Sequence, residues 1–187
     1  MQFLLLWKIK SAAMQNFDIR TATLDDAMAI ASVRLQSWLE TYRGIESDVY
    51  LDAMRLSESE ERWKIILSHP NTQKFNAVVT NENEEVVGFV SGGKARDNET
   101  KTEGEIYALY LLKKYHSLGL GKRLFIHGVD EMRKLGFQSF SVFVLTQNPT
   151  LHFYRKFKPD FEINEVVELG DEDYDEIGLA WDTMNIG

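Results

Sequence analysis

The chain has 187 residues, 44% of them apolar, with four histidines, no cysteine and a formal net charge of -8. This length supports one well-buried core, and the missing cysteines exclude disulfides, thiolate metal sites and a cysteine acyl-enzyme. An acidic balance without a long basic run argues against nucleic acid and an anionic membrane surface; it favours a soluble cytoplasmic protein with a cationic small partner.

Met1–Ala13 contains Phe3-Leu4-Leu5-Leu6-Trp7 followed by Lys8 and Lys10. The apolar run is too short for a membrane span, and its charges follow it where a signal peptide has them first. Residues 1–13 read as an added or upstream-start extension rather than a native packing element, ahead of one domain at 14–187. Gln15–Arg20 then reads as a first strand. Thr23 is placed to cap a helix whose first turn carries Asp25 and Asp26, and Ala27, Ala31, Leu35 and Trp38 give that helix one apolar face. Trp38 and Tyr42 are four apart and share a face; they are either core or the lining of a substrate slot. The chain breaks near Gly44 and restarts at Ser47-Asp48, with Leu51, Met54, Trp63, Ile66 and Leu67 marking further amphipathic helix.

Lys74–Thr80 and Glu85–Gly93 form a hairpin around Asn81–Glu84. Arg96–Glu103 is polar and reads as a flexible loop. Glu105–Leu112 is aromatic and aliphatic without Gly or Pro, as a buried central strand would be. A helix is expected from Lys122, with Leu124, Phe125, Val129 and Met132 on one face and Leu135-Gly136 as its C-cap. Ser139–Leu145 alternates as a strand, Asn148-Pro149 opens a helix, and Phe161–Leu169 with Ile177–Trp181 makes a last hairpin around an acidic turn. The order predicts an α/β fold, helices on both faces of a mixed sheet in a single domain. His69, His116, His127 and His152 have no metal-ligand spacing, so no metal is expected.

Between the central strand and its helix lies His116-Ser117-Leu118-Gly119-Leu120-Gly121-Lys122. The first turn of a helix leaves NH groups unpartnered and carries partial positive charge, and phosphate oxygens satisfy both. Gly119 and Gly121 hold no side chain against a ligand, and Lys122 adds a charge. A Walker A loop is excluded because Arg123 follows Lys122 where Ser or Thr is required, and His116 stands in the first glycine's place. A dinucleotide fingerprint fails at Leu124, where a third small residue is needed, and six residues separate the strand from the first glycine.

The loop resembles the Gln/Arg-x-x-Gly-x-Gly/Ala signature of the GNAT superfamily of N-acetyltransferases, with His116 in the place of Gln or Arg. Asn148 followed by Phe153-Tyr154 is similar to that family's second motif in type and spacing. Leu151 replaces the usual small residue after the Asn, and Phe157-Lys158-Pro159 stands where Gly-Phe is common; both departures bear on packing of the last helix. The resemblance runs from Asn16 to Trp181 and implies a GNAT-like, mostly antiparallel sheet.

It also implies acetyl-coenzyme A as co-substrate, its pyrophosphate held by His116, Ser117, Leu118, Gly119, Leu120, Gly121 and Lys122, with Asn148 and the backbone of Leu109, Tyr110 and Leu111 beside the thioester. A primary amine, of reference pKa ~10.4, must lose a proton before it attacks. The resemblance offers Glu105 as that base, acting through a bound water; otherwise Glu105 is a strand-end charge or an ion-pair partner. Tyr154 is offered as the acid that protonates the leaving thiolate, and direct transfer in a ternary complex is expected. Glu162, Glu165, Glu168, Asp171–Asp173, Asp175 and Glu176 either steer a cationic amine or form a solvated hairpin face. The acceptor, a small-molecule or peptide amine, stays open, as does a homodimer; a non-catalytic coenzyme A-binding module of the same fold is the alternative.

Overall fold

The structure, a computed structural model, describes residues 17–43, 51–52, 54–69, 71–96, 99–169 and 172–186. The predicted extension at 1–13, the first two residues of the first strand, the break at Gly44 and the restart at Ser47-Asp48 lie outside the described residues.

One sheet is built from β1 (Asp18–Thr21), β2 (Lys74–Thr80), β3 (Val86–Lys94), β4 (Gly104–Leu111), β5 (Phe140–Leu145), β6 (Phe161–Leu169) and β7 (Glu172–Trp181). Their order across it is β1-β2-β3-β4-β5-β7-β6. Among the described residues only β4 and β5 run parallel. A parallel pair needs a crossover, and α3 (Leu120–Lys134) supplies it. Helices α1 (Ala27–Tyr42) and α2 (Leu56–Ser68) cover the opposite face, and α4 (Leu151–Arg155) follows β5.

Because β2 and β3 are covered on both faces, their apolar residues run without alternation. Val78 and Phe89 pack with Ile30, Ala31 and Trp63 under α1 and α2. Val79 and Val90 pack with Leu124, Phe125 and Val129 under α3. Phe125 is fully buried in a cluster of rings from Phe140, Phe153, Tyr154, Phe157 and Trp181, with centroids 4.5 to 6.0 Å away. Removing such a ring costs about 3–5 kcal/mol, so this cluster anchors α3 and α4 to the sheet. At the other end Asp26 pins the start of α1. Its carboxylate accepts both Arg20 guanidinium nitrogens at 2.7 and 2.8 Å and the Thr23 NH at 2.7 Å. The pairing with Arg20 holds this carboxyl below the usual aspartate range.

Three boundaries and one loop differ from the sequence-based expectation, the first being α4, which begins at Leu151 after Thr150 rather than at Pro149. Helix α3 begins at Leu120 rather than Lys122, so Gly121 sits in its first turn. Strand β7 begins five residues earlier than expected, because Glu172–Glu176 continue in register against Glu165–Leu169 of β6. The loop expected to be flexible is tied down where described. Thr100 and Thr102 are buried, Thr102 Oγ1 donates to Ser141 Oγ at 2.9 Å, and Ala95 NH donates to the Glu103 carbonyl at 2.8 Å. Its hydroxyls satisfy one another, which lets a polar stretch pack against β5.

The feature that positions everything else is the incomplete pairing of β4 with β5. Only Gly104–Ile106 pair with Phe140–Val142. The register of β4 against β3 slips between Ser91 and Gly92, leaving Tyr107 as an extra residue. A bulge of this kind bends its strand, and β4 leaves β5 there, while β5 stays with β7 as far as Leu145.

Candidate active site

Past Ile106 and Val142 two strand edges face each other without ladder bonds. Leu112 donates its NH to the Val87 carbonyl at 3.0 Å. Alternation along an antiparallel pair then turns the NH and carbonyl groups of Leu109 and Leu111 away from β3 and into the gap. Thr146 donates to Asp175 at 2.9 Å, which by the same alternation turns Phe143 and Leu145 toward the gap from the other side. At its mouth the Leu111 carbonyl lies 2.9 Å from His116 Nε2, and the Leu145 carbonyl accepts the Asn148 NH at 2.9 Å. Such a slot takes an extended, amide-bearing chain in the way a sheet edge takes a strand.

The glycine turn lies at one end of the slot. Ser117 and Gly119 both have left-handed backbones, with φ of 63° and 79°; for serine this region is uncommon. Arg123 is the first residue whose NH bonds back into the helix, donating to the Gly119 carbonyl at 3.1 Å. The NH groups of Leu120, Gly121 and Lys122 come before it and have no intrahelical acceptor. They sit at the positive end of a 15-residue helix. Nothing lies within 4 Å of a Cβ built on Gly119, so the approach to these donors is open. The Leu120 side chain is buried in the core, so this residue offers a ligand its backbone alone. These residues fit the pyrophosphate and amide chemistry of coenzyme A.

Tyr154 stands on α4 behind the slot, 6% exposed. Its ring meets Phe125 at 5.5 Å and Phe153 at 5.0 Å. Burial first, then the nearby Tyr110, pushes its phenol well above the usual tyrosine range. On the α1 side, Trp38 Nε1 donates to Tyr110 Oη at 2.6 Å, and Asn148 Nδ2 donates to Tyr42 Oη at 2.6 Å. The Trp38 and Tyr42 rings touch at 4.6 Å. Four sequence-predicted positions, Trp38, Tyr42, Tyr110 and Asn148, therefore converge across the gap, from α1, β4 and the β5–α4 turn. Trp38 and Tyr42 are buried against Leu51 and Leu145, at the edge of the slot. The Asn148 side chain has two tasks here, because its Oδ1 also accepts from the Thr150 NH at 2.9 Å and so caps the turn before α4.

Glu105 is 0% exposed. Arg96 Nε donates to its Oε1 at 2.9 Å, the Arg96 NH donates to Oε2 at 3.0 Å, and Arg96 Nη2 also bonds Oε1. The ion pair that the sequence left open for Glu105 is present, and with its side chain fully buried any link to an acceptor amine has to run through a water, as the resemblance implies. Sequence reasoning missed Arg96 altogether. It met Glu176 only within an acidic tract, yet Glu176 stands opposite Leu145 of β5 and Glu165 of β6. The signal that separates these carboxyls is parity: Ile163, Glu165, Val167 and Leu169 of β6 are half-buried, and Glu162, Asn164, Val166 and Glu168 are exposed.

Residues 34–158 match the family model described as the acetyltransferase (GNAT) family. The chain belongs to the GNAT family. It is 32% identical over 167 residues to the uncharacterized N-acetyltransferase YuaI of Bacillus subtilis strain 168, spanning 89% of this chain and 94% of that protein. It is 26% identical over 157 residues to the spermidine N(1)-acetyltransferase of Thermoplasma acidophilum, spanning 80% and 91%. In fold it is similar to the crystal structure of the PaiA N-acetyltransferase of Thermoplasma acidophilum in complex with coenzyme A. That likeness has a TM-score of 0.64 at 21% identity, over 86% of this chain and 97% of that one. As a GNAT protein the chain is an acyltransferase, with acetyl-coenzyme A as its co-substrate. No helix among the described residues is long and apolar enough to cross a membrane.

Proposed function

We propose that this GNAT enzyme is a cytoplasmic N-acetyltransferase that moves the acetyl group to a primary amine by direct attack in a ternary complex. The observation that carries the reading is Tyr154, buried on α4 close to Tyr110 of β4, at the gap between two open strand edges with an anion-binding helix start at its end.

In this reading the turn from His116 to Lys122 holds the pyrophosphate, and the backbone edge from Leu109 through Tyr110 to Leu111 receives the amide-bearing arm, with Asn148 across the slot. The thioester carbonyl then lies against backbone NH groups of β4, which stabilise the oxygen of the tetrahedral intermediate. When the carbon–sulfur bond breaks its electron pair leaves with sulfur, and Tyr154, kept protonated by burial, donates the proton that makes the thiol. Of the two protons then on the attacking nitrogen, one returns the tyrosinate to phenol and the other stays on the amide product. Trp38 and Tyr42 border the acceptor's approach from the α1 face, where inward-facing Glu165 and Glu176 suit a cation. Spermidine, the substrate in the name of one relative, is of this class.

The test is coenzyme A thiol release with a panel of primary amines, spermidine among them. Tyr154→Phe should lower kcat by roughly 100-fold while calorimetry finds coenzyme A affinity unchanged. Equal rates in the two proteins would overturn the acid role.

A further inference from the structure

Resting on that reading, we infer that Glu176 on β7, rather than Glu105 on β4, takes the proton that the acceptor ammonium must lose before it attacks. Four observations converge on this carboxyl. Its register partners are Leu145, the last residue of β5 at the open edge, and Glu165 of β6, so all three side chains stand on the same face. That face is the one on which Leu145 packs with Trp38 and Tyr42. The face also holds Glu105, whose register partner Ser141 stands four residues before Leu145 on β5 and so on the same side. Glu105 itself is fully buried with Arg96 on both oxygens, whereas Glu176 is half-buried and keeps an open side.

The charged and titratable groups around Glu176 come from every neighbouring element. They are Arg96 from the loop after β3, Glu105 from β4, Glu165 from β6, Tyr174 two residues earlier on β7, and Tyr42 at the end of α1. Burial is the largest influence and raises its carboxyl to about 7; Arg96 opposes this, and Glu165 and Glu105 add to it. A carboxyl that titrates near working pH is matched to accepting a proton from an amine. The step balances: ammonium gives its proton to the Glu176 carboxylate, the freed lone pair attacks the carbonyl carbon, and the protonated Glu176 returns its proton to water after thiol release.

The experiment is the pH profile of kcat/KM for the best amine of the panel, in wild type and in Glu176→Gln, with coenzyme A affinity measured alongside. Wild type should rise to a plateau near pH 7. Glu176→Gln should bind coenzyme A normally, lose about 100-fold at pH 7, and climb without a plateau toward the amine's own pKa. With 2,2,2-trifluoroethylamine, largely neutral at pH 7, the loss should shrink below about 10-fold. If Glu176→Gln keeps the wild-type rate and plateau, the inference is overturned while amine acetylation stands. No transfer by wild type to any amine would overturn the underlying reading instead. Should the variant not fold, a wild-type profile without a break near pH 7 overturns the inference by itself.

Discussion

Glu176 carries a cost to the fold that follows from its chemistry. In an unfolded chain a glutamate titrates near ~4.3, whereas here burial lifts it to about 7. The native state therefore binds the proton more tightly, and stability falls as pH rises from the lower value through the upper one. Glutamine removes the charge and keeps the shape. At pH 8 Glu176→Gln should gain on the order of 1 kcal/mol, the full shift being discounted for the open side of the group. For a chain of this length that is a Tm rise of about 2–4 °C, and at pH 5 most of the gain should be gone because the folded-state carboxyl is then protonated. Calorimetric melts at the two pH values decide it, because an equal rise at both would assign the effect to packing. A substitution that stabilises while it slows turnover is the trade expected where a site holds a desolvated charge.

At the scale of elements, the sequence displays best what side chains alone determine. Strands β2, β3 and β4 are long apolar runs between turn residues, and α3 carries its stripe to a glycine C-cap; all four sit within two residues of their expected ends. What pairing imposes was not legible. The first half of β7 is acidic and becomes strand because β6 lies beside it. The bulge at Tyr107 leaves no mark on Ile106, Ala108 and Leu109, which read as uninterrupted strand, and only the family resemblance implies a break in pairing near Leu109–Leu111. Ile66, expected to be buried, is 43% exposed because α2 turns only Trp63 fully inward. In the site, Gly119, Gly121, Asn148 and Tyr154 were visible as motifs, but the Arg96–Glu105 contact, nine residues apart through a loop, was not. The α3 start gives this scale its prediction. Gly119→Ala puts an L side chain at φ 79°, costing about 1–2 kcal/mol. The new methyl also projects where a phosphate must approach. Coenzyme A affinity by calorimetry should fall at least 10-fold, with far-UV dichroism unchanged. Unaltered affinity would remove the turn from the binding site.

Over the whole molecule, the sheet divides into two leaves joined along the short seam Gly104–Ile106. One leaf is β1 to β4 and the other is β5 to β7; α3 crosses between them, and the Phe125 ring cluster holds that crossing in place. Beyond that seam the edges carry backbone NH groups without ladder partners, which are tolerated only where solvent or a ligand meets them. In the proposed function a coenzyme arm in the gap would supply the missing bonds and tie the leaves together. Binding should therefore protect a short, specific set of amides from hydrogen exchange: Leu109 and Leu111 on β4, and Phe143 and Leu145 on β5, together with Leu120 to Lys122 at the helix start. Tyr110 and Val144, whose NH groups point to β3 and β7, should change far less. At 100 times its Kd the coenzyme adds about 2.7 kcal/mol to global stability, which slows exchange throughout the core. The alternation of fast-becoming-slow with already-slow positions is therefore the signature to read. Protection rising equally at 109, 110 and 111 would mean that the strands tighten without a ligand between them, and the slot would have to be sought elsewhere on the sheet.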